Sequence, residues 1–287
     1  MTHPGANDAA SPSPRPGTCP PRGAACACWV LPVLAAVAVG GTAATLVATG
    51  RYGPALSADS YVYVMGAETL RAGRGYELPG EGPVALWPPM MSALLLALTW
   101  LGAEPVAAGR VLNAALLGGT VFLAGVWVRR HARSPALAVA AGLLVAVCPV
   151  LGIARWLWSE MLFIFLLVAY AALLTELCAR PGYVLSALAG AVVAAACMTR
   201  YIGAAAVPVG VALCLLAPGV RLRRRLALAV VHGAVASAPL GAWLARNYVL
   251  TGTLTGAREA AKSGSLAAAI QQLGQVLREW TLPFDAA

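Results

Sequence analysis

The 287-residue chain is 60% hydrophobic and only 11% charged, with a mean hydropathy of +0.77. A soluble domain carries about a quarter charged residues, so the composition excludes one and predicts a multispanning membrane protein. The net charge of +9 comes almost wholly from arginine, with Lys262 the single lysine; in a membrane protein such charge reports orientation, and no nucleic-acid partner is expected.

Residues 1–28 are rich in Pro, Ser, Gly and Ala and read as a disordered cytoplasmic tail. Cys19, Cys26 and Cys28 approach a metal-ligand spacing, but only His3 is near as a fourth ligand and no paired C-x-x-C unit is present, so zinc is not expected. The other four cysteines fall in apolar segments or at their ends and read as small core residues. Residues 29–49 form 21 positions without a charge, enough to cross the roughly 30 Å hydrocarbon core as an uncleaved helix. Arg15 and Arg22 put its start in the cytoplasm.

The one long polar interval follows, from Arg51 to Trp87. It holds seven of the 31 charged residues and four of the eight tyrosines. A short amphipathic helix is predicted from about position 58 to Leu70, capped by Ser57 or Asp59 and stopped at Gly73 and Gly75. Asp59 reads either as a helix cap or as a catalytic carboxylate.

Residues 88–102 are apolar, but number only 15 and open with two prolines. The two strongest basic clusters, Arg129-Arg130-His131-Ala132-Arg133 and Arg221-Leu222-Arg223-Arg224-Arg225, both belong in the cytoplasm, and this holds only if 88–102 does not cross. The remaining spans are then 106–128, 135–154, 156–174, 183–198, 202–217 and 226–245, giving seven crossings with the first. Residues 50–105 make an external loop with juxtamembrane helices, and 246–287 an external C-terminal segment. His131 and His232 fall on the inner side and read as structural.

With that topology Arg110, Arg155, Glu160, Arg200 and Arg246 all fall at outer helix ends, level with the loop that carries Asp59. One arginine alone reads as snorkelling to headgroups. The four arginines run against the positive-inside bias, and five charged outer ends together point to an anionic ligand, for which the guanidinium fork and phosphate oxygens are a natural match.

Several stretches together resemble the GT-C glycosyltransferases, in particular the bacterial relatives of protein O-mannosyltransferases and of lipid A aminoarabinose transferases. They are Asp59-Ser60-Tyr61 with the run from Ala67 to Gly75, Trp87-Pro88-Pro89, Arg110-Val111-Leu112-Asn113, Trp158-Ser159-Glu160-Met161-Leu162-Phe163, Thr199-Arg200-Tyr201-Ile202-Gly203 and Trp243-Leu244-Ala245-Arg246-Asn247-Tyr248. They cover nearly all of residues 30–260 and look like the N-terminal half of the family's pattern, whose members usually continue through further spans.

The resemblance implies an all-α, GT-C-like polytopic membrane bundle with amphipathic helices on its outer surface. It puts the catalytic aspartate on Asp59 and the substrate contacts on Tyr61, Trp87, Arg110, Arg155, Glu160, Arg200, Tyr201 and Arg246. Ser60 stands where the family often has a second acid, so no metal is indicated. The expected activity is transfer of a sugar from a polyprenyl-phosphate donor to an acceptor hydroxyl on the outer face of a bacterial plasma membrane. A glycine-rich phosphate loop for a nucleotide sugar is lacking, which fits a lipid-linked donor. The rival readings are a non-catalytic or truncated member of the pattern, and a transporter or flippase, which would need polar residues in mid-span or broken repeats.

Overall fold

A computed structural model describes residues 28–257 and 265–281. Most of the tail expected over 1–28, with Cys19, Cys26 and His3, lies outside the described residues, as does Lys262. The elements in order are α1 (Val30–Ala48), α2 (Ala58–Arg71), strands β1 (Glu77–Leu78) and β2 (Gly82–Pro83), α3 (Met90–Thr99), α4 (Pro105–Ala132), α5 (Pro135–Val147), α6 (Val150–Ala154), α7 (Glu160–Ala179), α8 (Tyr183–Thr199), a 3-10 turn (Tyr201–Ala206), α9 (Val207–Leu216), α10 (Leu222–Thr251) and α11 (Leu266–Thr281). The architecture is almost wholly helical. The exception is the β1–β2 hairpin, in register Glu77 with Pro83, which the all-α expectation omits.

Four helices, α1, α4, α7 and α10, are long and apolar enough to cross a membrane. The other three expected crossings are shorter helices. Residues 135–154 divide at Pro149: Cys148 before it is extended at φ −74°, ψ 174°, as crowding by a following proline ring demands, and α5 ends there. Residues 202–217 open with the 3-10 turn, leaving a ten-residue α9. Conversely, the expected 226–245 span is the middle of a 30-residue α10, so the first part of the expected external segment is helix. The 88–102 stretch yields only the ten-residue α3.

Two packed groups share α7. Its first turns, through Met161 and Leu162, join a core with Leu117, Val121, Leu157 and Ala38, built on α1, α4 and the segment before α7. Its later turns, through Tyr170, Leu174 and Leu177, join Val193, Leu228 and Ala236 of α8 and α10. Small residues let the backbones approach: a Cβ on Gly118 of α4 would strike Thr42 and the Ala38 carbonyl of α1. Thr42 also donates to the Ala114 carbonyl at 3.1 Å.

The polar interval lies across the ends of both groups. Ala55 forms an isolated parallel bridge with Trp156, its N–H donating to Arg155 O and its carbonyl accepting from Leu157 N, both at 2.9 Å. Tyr76, Leu78 and Val84 of the hairpin region close over Val62 of α2, with Trp243 of α10 packed against them. Gly66 makes room for this, since a Cβ there would run into the Tyr76 ring.

Candidate functional site

The loop helix begins at Ser57, which is its N-cap; the Ser57 N–H donates to Ser60 Oγ at 3.0 Å. Capping is therefore done by the serines. Asp59 sits two positions after the N-cap, in the first turn, half-buried and with no side-chain hydrogen bond among the described residues. The positive end of the α2 dipole favours a carboxylate there.

Two consecutive residues before α7 tie this helix to the rest, and the next one, at the start of α7, holds Arg200. Trp158 Nε1 donates to Ser57 Oγ at 2.8 Å. Ser159 Oγ shares a 2.9 Å hydrogen bond with Tyr63 Oη. Glu160 pairs with Arg200 at 2.5 Å, and Arg200 Nη1 also reaches Ser159 Oγ at 3.5 Å. Both side-chain hydrogen bonds of Arg200 among the described residues run through Nη1, so the other edge of its guanidinium carries none. Glu160 Oε2 is buried and has no partner among the described residues.

Arg200 is placed by a tight backbone. α8 ends at Thr199, Arg200 is extended, and the 3-10 turn packs back on the helix it has just left. At Gly203 a Cβ would lie 2.8 Å from Ala196 C and Cys197 N, so only glycine fits. The turn also holds Tyr201, whose hydroxyl donates to Ala85 O at 2.6 Å and accepts from Trp243 Nε1 at 2.9 Å and Asn247 Nδ2 at 3.0 Å.

Asp59, Tyr63, Leu86, Trp87, Pro88, Thr199, Arg200, Tyr201 and Ile202 together line a cavity of roughly 410 Å³ between α2, the loop before α3 and the end of α8. It combines a free carboxylate, a guanidinium with an open edge and aromatic surface. Burial pushes the Tyr63 hydroxyl up to about 12, with the Asp59 and Glu160 charges adding to the rise and the Ser159 hydrogen bond opposing it. At neutral pH Tyr63 is therefore a hydrogen-bond donor and not a base.

Of the nine residues singled out from sequence, the fold brings Asp59, Trp87, Arg200 and Tyr201 into this cavity and seats Glu160 behind Arg200. The others lie elsewhere. Tyr61 is exposed on α2 outside the cavity lining. Arg110 closes the C-terminal end of α1, donating through Nε to Thr49 Oγ1 at 2.9 Å and through Nη2 to Leu46 O at 2.6 Å. Arg246 clamps the hairpin region to α10: Nη1 donates to Val84 O at 2.7 Å, Nη2 to Tyr76 O at 3.0 Å, and the guanidinium lies 4.6 Å from the Trp243 ring centroid. Arg155 is exposed in a separate cleft with Ala44, Ala48 and Cys148. The ring of outer arginines thus resolves into one cavity residue, two backbone clamps and one surface cation.

Tyr63 and Ser159 belong to the site and were not singled out. Tyr63 was accessible to sequence reasoning, one helical turn after Asp59 on the same face. Nothing local marks Ser159, whose partner is 96 positions away. Compared with known proteins, the chain matches no family model, no curated protein and no solved structure.

Proposed function

We propose that the protein is a membrane glycosyltransferase of the GT-C kind, moving a sugar from a polyprenyl-phosphate donor to an acceptor hydroxyl at the outer face of a bacterial plasma membrane. The observation that carries this reading is the pairing, in one cavity, of the free Asp59 carboxylate with the open guanidinium edge of Arg200. Asp59 takes the proton of the acceptor hydroxyl as its oxygen bonds to the anomeric carbon. The bond from that carbon to the phosphate oxygen breaks, and its electron pair leaves with the lipid phosphate. Arg200 stabilises the charge that develops there. Glu160 and Ser159 hold the guanidinium in place, and the Trp87 and Tyr201 rings supply apolar faces for a sugar.

The test is transfer by the reconstituted full chain supplied with polyprenyl-phosphate sugars. Asp59→Asn preserves shape and removes the basic oxygen without touching the serine cap. It is expected to leave membrane insertion and donor binding near wild type while transfer falls by at least about a hundredfold, the lower range for positioned proton transfer. Ordinary transfer by Asp59→Asn would assign the base elsewhere. Donor binding without transfer by the wild-type chain would favour a non-catalytic binding partner.

A further inference from the structure

α11 follows α10 at the C-terminal end of the described chain and differs in kind from every spanning helix. It has 16 residues, LAAAIQQLGQVLREWT, about 24 Å of helix. Leu266, Ile270, Leu273 and Leu277 recur at the spacing that puts them on one face, with Gln271, Gln272 and Gln275 on the other. Every side chain described from Ser265 to Arg278 is exposed, and Leu266, Ile270 and Leu273 are each more than half exposed. Among the described residues Leu266, Ile270 and Leu273 are therefore left uncovered, while the glutamines and Arg278 bar the helix from crossing a hydrocarbon core.

What covers the stripe follows from where the helix is tethered. α10 has 30 residues, about 45 Å against a core of roughly 30 Å, so its end at Thr251 emerges at a membrane surface. That surface is on the cavity side, because Thr251, Thr253 and Gly256 share a cleft with Leu86 and Trp87, which also line the candidate site. Only residues 252–265 separate α10 from α11, so the bilayer is always within reach and at high effective concentration. The polar face carries no acid between Leu266 and Arg278 to oppose anionic headgroups.

We propose that α11 is an interfacial helix that lies along the bilayer surface on the side bearing the cavity, with Leu266, Ile270 and Leu273 turned into the lipid. This does not depend on the transfer reaction. The test places single nitroxide labels through Ile270→Cys, Leu273→Cys, Gln271→Cys and Gln275→Cys in a cysteine-free full chain, one copy per nanodisc of phosphatidylcholine and phosphatidylglycerol. Collision with lipid-soluble oxygen, relative to a water-soluble nickel chelate, is expected to be several-fold greater at positions 270 and 273 than at 271 and 275. Equal aqueous accessibility at all four positions overturns the proposal. So does protection of 270 and 273 from both agents, which would mean that protein covers the stripe.

Discussion

Arginines gather at both ends of the helices, and the two ends use them differently. At one end stand Arg129, Arg130 and Arg133 after α4, and Arg221 to Arg225 before and within the first turn of α10; most of these side chains are exposed, and the ion pair Arg130–Glu176 is open to solvent on both sides. At the other end Arg110, Arg200 and Arg246 are each half-buried, and each makes two or more hydrogen bonds to a named acceptor. In the first group Arg224 donates to Pro181 O at 3.0 Å, and Arg225 to Val220 O at 2.7 Å and Leu215 O at 3.4 Å. These acceptors lie in the turns before α8 and α10 and near the end of α9, and none of them lines the cavity that holds Asp59. The second acts residue by residue: two clamp backbone and one presents an edge to a cavity. A count of charges at helix ends therefore does not distinguish a binding site from a set of clasps.

The largest expected effect tests whether the two ends lie on opposite sides of a membrane. In a cysteine-free chain, Glu81→Cys at the hairpin end is expected to react with an impermeant thiol reagent added outside, and Ala132→Cys at the basic end is not. Labelling of both from one side would collapse the distinction, and the reverse pattern would put the cavity in the cytoplasm.

Next in size is the contrast between the cavity arginine and a basic-end arginine. Arg200→Gln removes a charge-assisted donor, so polyprenyl-phosphate binding is expected to weaken about ten- to a hundredfold, whereas Arg129→Gln leaves it unchanged. Equal losses would mean that only overall charge matters.

A smaller effect separates clamp from surface. Arg246→Gln gives up hydrogen bonds to the Val84 and Tyr76 carbonyls and is expected to lower stability in detergent by about 1.5 to 3 kcal/mol. Arg130→Gln, which breaks only an exposed pair, is expected to cost about 0.2 to 1 kcal/mol. Thermal unfolding of the two variants side by side decides this, and similar losses would erase the difference between the ends.

Particular residues show how far the site was legible. Asp59 and Arg200 were marked by residue type and by their place beside apolar runs, Trp87 and Tyr201 only by the family resemblance, and the four line one cavity. Arg246 carried the same marks and is turned to backbone carbonyls, because the hairpin that accepts its hydrogen bonds is about 160 to 170 positions away and invisible to local pattern. Ser159 lies in a run that carries the resemblance but was given no role, and it becomes a junction only when Tyr63 and Arg200 arrive on either side of it.

The sequence alone suffices to read the chain as helical and apolar, to place its four long apolar helices to within several residues, and to set one polar interval apart. Each of these follows from composition and from hydrophobic runs measured against helix rise, which are properties of neighbouring residues. Which charged side chain meets the cavity and which grips backbone is settled by the packing. A guanidinium's role depends on the acceptors within about 3 Å of it, and these come from elements that only the packing of α2, α7, α8 and α10 brings together.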